Sequence, residues 1–484
     1  MDFPHGTDAE AQDIISAALH GRLTPEQAKR AARFDLVLGA FAWIAMAQRI
    51  ATLEASLAGA KGPDPATPSG QIPVYTKPPA RKRKGKPGAK PGHPGHCRPS
   101  PVQIDRHEEH RLAVCPDCGG PLQRCQRPRT RIIVDIPEAI RPEATEHTIH
   151  RDYCPGCRKH VEPVVPDALP QATIGHRAVA LTAWLHYGLG VTIDQIVDIM
   201  GCHLQTRLSP GGMVAIWQRL AHILEAWYQQ IAADARESAV LHADETGWRV
   251  QGATHWLWCF TSQKTCFYLV DRSRGSPALQ KFFLEAFDGV LVRDFWAPYD
   301  SLTVGDHQCC LVHLLRELEK VDQHNQTAVW LAFAKKLRRL LRDGIRLRKR
   351  PDFTPDAYRA RSHRLDCRLI ELAEGTYDDG DAQRLANRLS KYRDSIFTFL
   401  DYQEVPFENN HAERQIRPAV VLRKNSQSNR SARGAATQSV LMSVYRTLKL
   451  RGHDPLAVMV AALRDYMRTG ELPALPGIGG VAEG

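Results

Sequence analysis

The stretch Ala239-Val-Leu-His-Ala-Asp-Glu-Thr-Gly-Trp248 determines how the central part of this chain folds. Its first five residues are mostly apolar, so they predict a buried strand at 239–243 that is followed by Asp244. Farther along, the chain predicts two closely spaced strands, a helix and two more strands. These elements are strands 255–261 and 265–270, helix 276–287, and strands 289–293 and 306–312. An antiparallel meander followed by a crossover onto parallel strands predicts an α/β, RNase H-like core.

Two of the predicted strands are followed by an aspartate, Asp244 after the first strand and Asp294 after the fourth. Because these strands are neighbours in an RNase H-like sheet, we expect the two carboxylates to converge. Hard divalent cations prefer such oxygen ligands, and two Mg²⁺ ions can serve phosphodiester chemistry. The alternative for either aspartate alone is a cap at a strand end or turn.

A third acidic ligand has to come from farther along the chain, and Glu413 is the candidate. The intervening residues 325–400 have a helical and charged pattern, with a basic cluster at 335–350, and predict an insertion. Glu413 also has two structural alternatives. It completes a capping-box pattern with Asn410, and it lies four residues before Arg417, the spacing of a helical ion pair.

Two Cys-x-x-Cys knuckles precede the core, Cys115-Pro-Asp-Cys118 and Cys154-Pro-Gly-Cys157. Four thiolates in a tetrahedron are a preferred structural zinc site, so the pair predicts a zinc-binding domain. We expect a β-hairpin between the knuckles, with strands at 131–136 and 146–153. The alternatives are a redox pair or incidental buried cysteines. Three nearby histidines are alternative zinc ligands in place of a cysteine: His147, His150 and His160.

Residues 171–236, between the knuckles and the core, predict a helical block. Thr192-Ile-Asp-Gln195 has the pattern of a capping box that opens a helix. Ser209-Pro210 has the pattern of an N-cap followed by a first-turn proline. Helix, short turn and helix are compatible with a helix-turn-helix DNA reader and equally with a plain helical layer.

Residues 61–101 differ in composition from the rest of the chain, with eleven prolines and a basic run that holds no acidic residue. Such a segment cannot bury a core and predicts a linker. Its cluster Arg81, Lys82, Arg83 and Lys84 suits a DNA phosphate backbone, the alternative being a solvated basic linker. Residues 1–60 predict a helical region that either self-associates or packs on the rest of the chain.

The composition excludes several classes of protein. Hydrophobic residues make up 43%, enough for a large core, and the net charge of +11 favours polyanionic partners. Collagen, a wholly disordered chain and a small disulfide scaffold are excluded. No secretion signal is visible, and the longest apolar run, 36–47, is too short to span a bilayer. We therefore expect a soluble intracellular, cytoplasmic protein with no membrane partner.

Across residues 80–470 the chain resembles the DDE transposases of the insertion sequence 66 family. Several motifs in the family's order carry this resemblance. They are Pro91-Gly-His-Pro-Gly-His96, the two knuckles, His242-Ala-Asp-Glu-Thr-Gly-Trp248, Asp294-Phe-Trp-Ala-Pro-Tyr299, Cys310-Leu-Val-His-Leu-Leu-Arg316, and Asn409-Asn-His-Ala-Glu-Arg-Gln-Ile-Arg-Pro418 followed by Arg423-Lys424. Residues 1–60 depart from the family pattern, in which a more leucine-zipper-like helix is common.

The resemblance implies that Asp244, Asp294 and Glu413 form the catalytic DDE triad, ahead of the rival carboxylates Glu245 and Glu408. It implies two catalytic Mg²⁺ ions and one structural Zn²⁺. The zinc ligands would be Cys115, Cys118, Cys154 and Cys157. Cys310 and His313 match a Cys-x-x-His element of the family, which we interpret as structural.

The implied partner is double-stranded DNA, both at the element ends and at the target. The phosphate contacts would come from the linker and from Arg414, Arg417, Arg423 and Lys424. A homo-oligomer on DNA and accessory proteins encoded by the same element are further expectations.

The sequence thus predicts a transposase that cleaves DNA and transfers the strand. One alternative is an RNase H-like nuclease or resolvase that cuts without joining, and another is a non-catalytic zinc and helix-turn-helix DNA-binding protein. The predicted regions are an N-terminal helical region 1–60, a linker 61–101, a zinc-binding domain 102–170, a helix-turn-helix-like domain 171–236, a catalytic core 237–430 with the helical insertion 325–400, and C-terminal helices and tail 431–484.

Overall fold

The computed structural model describes residues 103–122, 130–134, 136, 140–350 and 352–479, together with a few positions between 13 and 27. The helical region expected at 1–60 therefore lies almost wholly outside the described residues, and the linker expected at 61–101 lies outside them entirely. The described residues fall into two compact units. The sheet unit takes in the described residues from 103 to 294, 298–308 and 401–479, and the helical unit takes in 295–297 and 309–400 together with the described positions between 13 and 27.

The sheet unit contains a hairpin, a helical block, a sheet and three C-terminal helices. The hairpin and helical block are β1 (Asp152–Cys154), β2 (Lys159–Val161), α1 (His176–Ala183), α2 (Ile193–Asp198), α3 (Pro210–Ile223) and α4 (Glu225–Arg236). The sheet region contains β3 (Val240–Val250), β4 (Ala253–Thr261), β5 (Cys266–Asp271), α5 (Ser276–Phe282), β6 (Phe287–Arg293) and β7 (Val304–Cys309). The helical unit contains α6 (Leu311–Val321), α7 (Ala328–Arg348), α8 (Pro355–Glu374), α9 (Gly380–Lys391) and the start of α10 (Thr398–Asp401). The C-terminal helices are α11 (Asn410–Ser426), α12 (Ala432–Leu450) and α13 (Pro455–Thr469).

The five-stranded sheet has the order β5-β4-β3-β6-β7. Strands β3, β4 and β5 pair antiparallel, and β3 pairs parallel with β6. This is the meander and crossover that the sequence predicts. The β3–β4 turn consists of Gln251 and Gly252, both with positive φ (52° and 75°), as a two-residue type I′ turn requires. That turn fixes the register in which Val250 faces Ala253.

Several predicted boundaries were wrong. Strand β3 continues to Val250, so Asp244 lies inside the strand and does not end it. Helix α5 ends at Phe282, five residues before its predicted end at 287. Strand β6 begins at Phe287, two residues before its predicted start at 289. The fifth strand is displaced toward the N-terminus because residues from Leu311 onward form α6.

The hairpin of the cysteine region also differs from the prediction. Residues 130–134 have no regular secondary structure, and of the strand expected at 146–153 only Asp152 and Tyr153 are in a strand. The observed hairpin, β1–β2, instead encloses the second knuckle and pairs Cys154 with Lys159. The turn at Pro155-Gly156 therefore determines which strands pair in this hairpin, and the apolar run at 131–136 does not.

In the helical block both predicted helix starts are confirmed. Thr192 and Gln195 form a reciprocal capping box, and Ser209 caps α3 with Pro210 at its first position. Helix α3 packs against α1 and α12, and the indole of Trp217 donates to the Thr182 hydroxyl at 3.1 Å. Its apolar face thus belongs to the core of the sheet unit, the packing expected of a helical layer.

The helical unit includes residues 325–400, for which the sequence predicts an insertion, and its main segment begins earlier, at Cys309. Helices α7, α8 and α9 pack against one another. The buried carboxylate of Glu317 on α6 pairs with both Arg384 and Arg388 of α9, so it is fully compensated. Among the described residues, none of the helices combines the length and the apolar character needed to cross a membrane.

Gly289 on β6 provides a test of the β3–β6 pairing. A Cβ added there would lie 2.7 Å from the carbonyl oxygens of Ser238 and Ala239, which are backbone atoms held by the sheet. We expect Gly289→Ala to lower the free energy of unfolding by about 1–3 kcal/mol, the usual range for overpacking. Gly211→Ala, at a helical position with open space around it, is the matched control and should leave stability unchanged or raise it. Equal denaturant midpoints for Gly289→Ala and wild type would contradict this packing.

Candidate active site

The register of β3 against β6 relates the positions of the two aspartates. Val240 pairs with Val290 and His242 with Val292, an offset of 50 residues. The same offset separates Asp244 from Asp294, which directly follows the last residue of β6. Neighbouring strands lie about 4.8 Å apart. If the register continued for two more residues it would bring the two backbone positions level, so it favours the predicted convergence of the two carboxylates.

Strand alternation separates Asp244 from its neighbour Glu245, because successive side chains of a strand point to opposite faces. Glu245 is buried, and both of its carboxylate oxygens are occupied. Arg274 donates to Oε1 at 3.0 Å, and the Tyr299 hydroxyl donates to Oε2 at 2.9 Å. Glu245 is thus held as a structural carboxylate, a distinction that the sequence alone could not make.

Glu413 lies on the helix that covers the Asp244 face. Helix α11 packs on β3 and begins at Asn410, so Glu413 is its fourth residue. The residue before it, Asn409, makes no side-chain cap. The capping-box alternative for Glu413 is therefore wrong, because Asn410 lies inside the helix and not at its N-cap.

The buried side chain of Asn409 fixes the N-terminus of α11 against β3. Its Nδ2 donates to the Ala243 carbonyl at 2.7 Å, and its Oδ1 lies 3.0 Å from Nδ1 of His242. Asn409 thus binds the backbone immediately before Asp244 and begins the helix that carries Glu413. The Asn409-Asn410 dipeptide in the sequence was the available signal for this role.

The acidic side chains interact electrostatically. Burial raises the pKa of Asp244 well above its usual range, and the charges of Glu245, Asp294 and Glu413 raise it further. Burial and the charge of Asp294 raise the pKa of Glu245 to about 7, although Arg274 and Tyr299 act in the opposite direction. These carboxyl groups resist ionisation because their negative charges would repel one another. A bound cation would relieve that repulsion.

Arg293 holds the segment that follows β6. Its side chain is almost fully buried, and it donates to Nδ1 of His307 at 3.1 Å, to the carbonyl of Asp294 at 3.1 Å and to Asp300 at 2.8 Å. The contact with the Asp294 carbonyl positions the backbone of the second aspartate. Sequence analysis missed this role because Arg293 occupies an ordinary strand position.

The donor set of Asp244, Asp294 and Glu413 fits a divalent cation in its chemistry, since all three offer hard carboxylate oxygens. The charges of Asp294 and Glu413 both raise the pKa of Asp244. Within the described part of the chain, however, no three acidic, histidine or cysteine side chains are gathered closely enough to hold a metal ion.

Each cysteine knuckle is formed, and each favours the thiolate that zinc binds. The Cys157 amide donates to Sγ of Cys154 at 3.4 Å, and this contact lowers the pKa of the Cys154 thiol. Backbone donors at Cys118 and Asp117 likewise lower the pKa of Cys115. The two knuckles fit zinc as half-sites, but the described residues do not bring all four thiols into one cluster.

The basic candidates divide into three groups. Arg414, Arg417 and Lys424 are exposed on α11. Arg423 is half-buried and donates to the Thr246 hydroxyl at 3.0 Å and to the Gly247 carbonyl, so it also holds α11 on β3. The linker candidates Arg81, Lys82, Arg83 and Lys84 lie outside the described residues.

The predicted Cys-x-x-His element lies at the start of α6. Cys310 is fully buried and occupies the N-cap position of the helix, and the His313 amide donates to its carbonyl at 3.2 Å. This location agrees with the structural interpretation of the two residues.

The raised pKa of Asp244 predicts a pH-dependent gain in stability for Asp244→Asn. A carboxyl group whose pKa is higher in the folded state than in the unfolded state lowers the stability of the fold when it ionises. For Asp244 this loss of stability develops as the pH rises from the unfolded pKa, 3.8, through the folded pKa. In chelator, the variant should therefore exceed wild type at pH 8 by roughly 1–3 kcal/mol, the range for relieving an uncompensated buried group, and by less at pH 5. Urea unfolding at both pH values measures this, and a variant less stable than wild type at pH 8 would contradict it.

Comparison with known proteins identifies the family of this site. The family model described as "Transposase IS66 family" matches residues 171–437, more than half of the chain and all three candidate acids. The chain is 23% identical over 419 residues to "Uncharacterized protein y4jD" of Sinorhizobium fredii (strain NBRC 101917 / NGR234), covering 75% of this chain and 77% of the relative. It is 25% identical over 228 residues to "Uncharacterized protein y4qI" of the same strain, covering 42% of each chain. The extent of the family match shows that the chain belongs to the IS66 family of transposases.

Proposed function

We propose that this transposase cleaves DNA at the ends of an insertion sequence and transfers the strand by a DDE mechanism. The observation that carries the proposal is the parallel register of β3 and β6, which would align Asp244 with Asp294 if it continued for two more residues, together with the packing on β3 of the helix that carries Glu413. The strand order β5-β4-β3-β6-β7, with its antiparallel meander and parallel crossover, supports an RNase H-like core. Phosphodiester transfer needs such a group of carboxylates because catalysis there consists largely of positioning and charge neutralisation.

Two Mg²⁺ ions would be held by Asp244, Asp294 and Glu413, and when bound they would supply Lewis-acid activation and neutralise phosphate charge. The chain's own residues would set the positions of the ligands. Asn409 would hold the start of α11 against Ala243, and Arg293 would hold the backbone at Asp294. Exposed Arg414, Arg417 and Lys424 on α11 would contact phosphates of the bound DNA.

Recognition of the element ends would involve the cysteine region and the basic linker. One Zn²⁺ held by Cys115, Cys118, Cys154 and Cys157 would join the two knuckles, each of which already favours a thiolate. The helical block would add DNA contacts if it acts as a helix-turn-helix. We further propose a homo-oligomer on DNA as the active form, with proteins from the same element as accessory partners.

Strand-transfer products separate this proposal from a nuclease or resolvase that cuts without joining. The substrate is a pre-nicked element end incubated with target DNA and Mg²⁺. Joined products support a transposase, and cleavage alone supports a nuclease or resolvase. Neither product in any divalent metal would favour a non-catalytic DNA-binding protein.

The triad makes a prediction for three isosteric substitutions. Asp244→Asn, Asp294→Asn and Glu413→Gln should each reduce cleavage and strand transfer by about 10²–10³-fold or more, because each removes an anionic ligand of the Mg²⁺ ions that would neutralise the charge of the transition state. Binding to element ends should change little. Mg²⁺ should raise the melting temperature of wild type and have a smaller effect on each variant, a readout independent of activity.

Glu408→Gln is the matched control for Glu413→Gln, because both glutamates are half-buried and Glu408 lies just before α11. The control should keep activity. If Glu413→Gln kept activity in proportion to its folded fraction while Glu408→Gln lost it, Glu408 would be the third ligand.

The zinc proposal predicts about one Zn²⁺ per purified chain. The double variant Cys115→Ser with Cys154→Ser removes one thiolate from each knuckle and should abolish stoichiometric zinc in elemental analysis. Cys202→Ser with Cys367→Ser, at two exposed cysteines outside the knuckles, is the control and should retain it. Undiminished zinc in the knuckle variant would overturn the assignment.

A further inference from the structure

The long helix α7 of the helical unit carries a continuous basic stripe on its solvent face. Lys335, Arg339, Arg342, Arg346 and Lys349 follow one another at spacings of four, three, four and three residues. Residues at these spacings lie on one face of a helix. All five are exposed, with side-chain exposures of 80% for Arg339 and 74% for Arg346. We name these five residues the α7 stripe.

We propose that the α7 stripe binds the phosphate backbone of double-stranded DNA. The inference rests on the proposed function for its choice of partner, and it assigns DNA binding to the helical unit, for which no role has been given above.

The opposite face of α7 fixes the orientation of the stripe. Trp330, Phe333, Leu337, Leu340 and Leu341 are fully or almost fully buried. Gly344 allows the ring of Phe397 to approach so closely that a Cβ there would lie 2.9 Å from it. Thr327 caps the first turn by accepting from the Trp330 amide. The stripe therefore lies on a helix that cannot rotate to hide its charges.

Within the described residues, ion pairs neutralise little of the charge at Lys335, Arg339, Arg342 and Arg346. Asp343 is the only acidic residue between Ala328 and Arg348. It pairs at 2.9 Å with Arg368 of α8, whereas its contacts with Arg339 and Arg346 are longer, 3.9 and 3.6 Å. Neither Lys335 nor Arg342 makes an ion pair within the described residues.

Like charges at these spacings destabilise a helix, so a reason for the stripe must be sought outside the helix. The helix dipole favours cations only in the last turn, which explains Arg346 but neither Lys335 nor Arg339. The neighbouring helix α8 carries four arginines and four acidic residues, so it has no such excess of charge. A polyanion is the partner that relieves the repulsion.

The dimensions of the stripe suit a DNA strand. The fourteen helical steps from Lys335 to Lys349 extend about 21 Å along a helix. One strand of duplex DNA carries a phosphate about every 3.4 Å of axis, so about six phosphates lie along that length. Five cations on a rigid line can therefore contact phosphates without reading base sequence.

The experiment compares two triple variants of the full chain for binding to a random-sequence duplex of about 30 base pairs, in chelator so that no cleavage occurs. The test variant is Lys335→Gln, Arg339→Gln and Arg342→Gln. The control is Arg359→Gln, Arg364→Gln and Arg393→Gln, which removes the same charge from exposed positions elsewhere in the helical unit. Thermal melting of both verifies that each is folded.

Loss of three phosphate contacts should reduce the magnitude of the slope of log K against log salt by about 2.7, at about 0.9 per contact, and should weaken binding at 0.1 M salt at least tenfold. The control should change the slope by less than one. Equal slopes for the test variant and wild type, equal losses in both variants, or no binding by wild type would each overturn the proposal. Failure of the proposed function would be seen separately, as absence of Mg²⁺-dependent cleavage by a wild-type protein that still binds DNA.

Discussion

The parallel pairing of β3 with β6 is the interaction on which the rest of the site depends. It connects segments 50 residues apart in the sequence, and the same register, if continued for two more residues, would align Asp244 with Asp294. A slip of one residue would place the aspartates on opposite faces of the sheet, because side-chain direction alternates along a strand. The close approach of Gly289 to the carbonyls of Ser238 and Ala239 leaves no room for a side chain at that point of the pair. The relative positions of the two aspartates therefore depend on this register.

The charges at the site oppose folding, and uncharged contacts around them offset that opposition. Asp244 lies among three other acids that raise its pKa, so its ionised form is unfavourable without a cation. The amide of Asn409, by contrast, is satisfied by both Ala243 and His242, and the guanidinium of Arg293 by three partners. Satisfied buried polar groups of this kind hold a geometry that the carboxylates alone would expand. The proposed function entails this loss of stability, because the carboxylates that would bind the cations repel one another.

Sequence periodicity predicted the strand order, the two aspartates and the helix starts at Thr192 and Ser209, because each depends on local pattern or on spacing. It could not predict that β3 continues past Asp244, since the Gln251-Gly252 turn lacks the usual Asn-Gly signal. It misplaced the hairpin of the cysteine region, where a knuckle and not an apolar run decides the pairing. It also could not choose between Asp244 and Glu245, because that choice depends on which face of the sheet receives Arg274 and Tyr299.

The position of Glu413 does not depend on the length of the insertion before it. Helix α11 is held on β3 at both ends, by Asn409 at its start and by Arg423 near its end, where the guanidinium binds Thr246 and Gly247. Just beyond the helix, Asn429 accepts from the indole of Trp248 and from the amide of Gln251. Closing a longer connection costs only about 0.6 kcal/mol for each doubling of its length, far less than such a set of contacts contributes. The hundred residues between β7 and α11 can therefore form a helical unit of their own, with its own charged surface, while the third acid stays opposite the first.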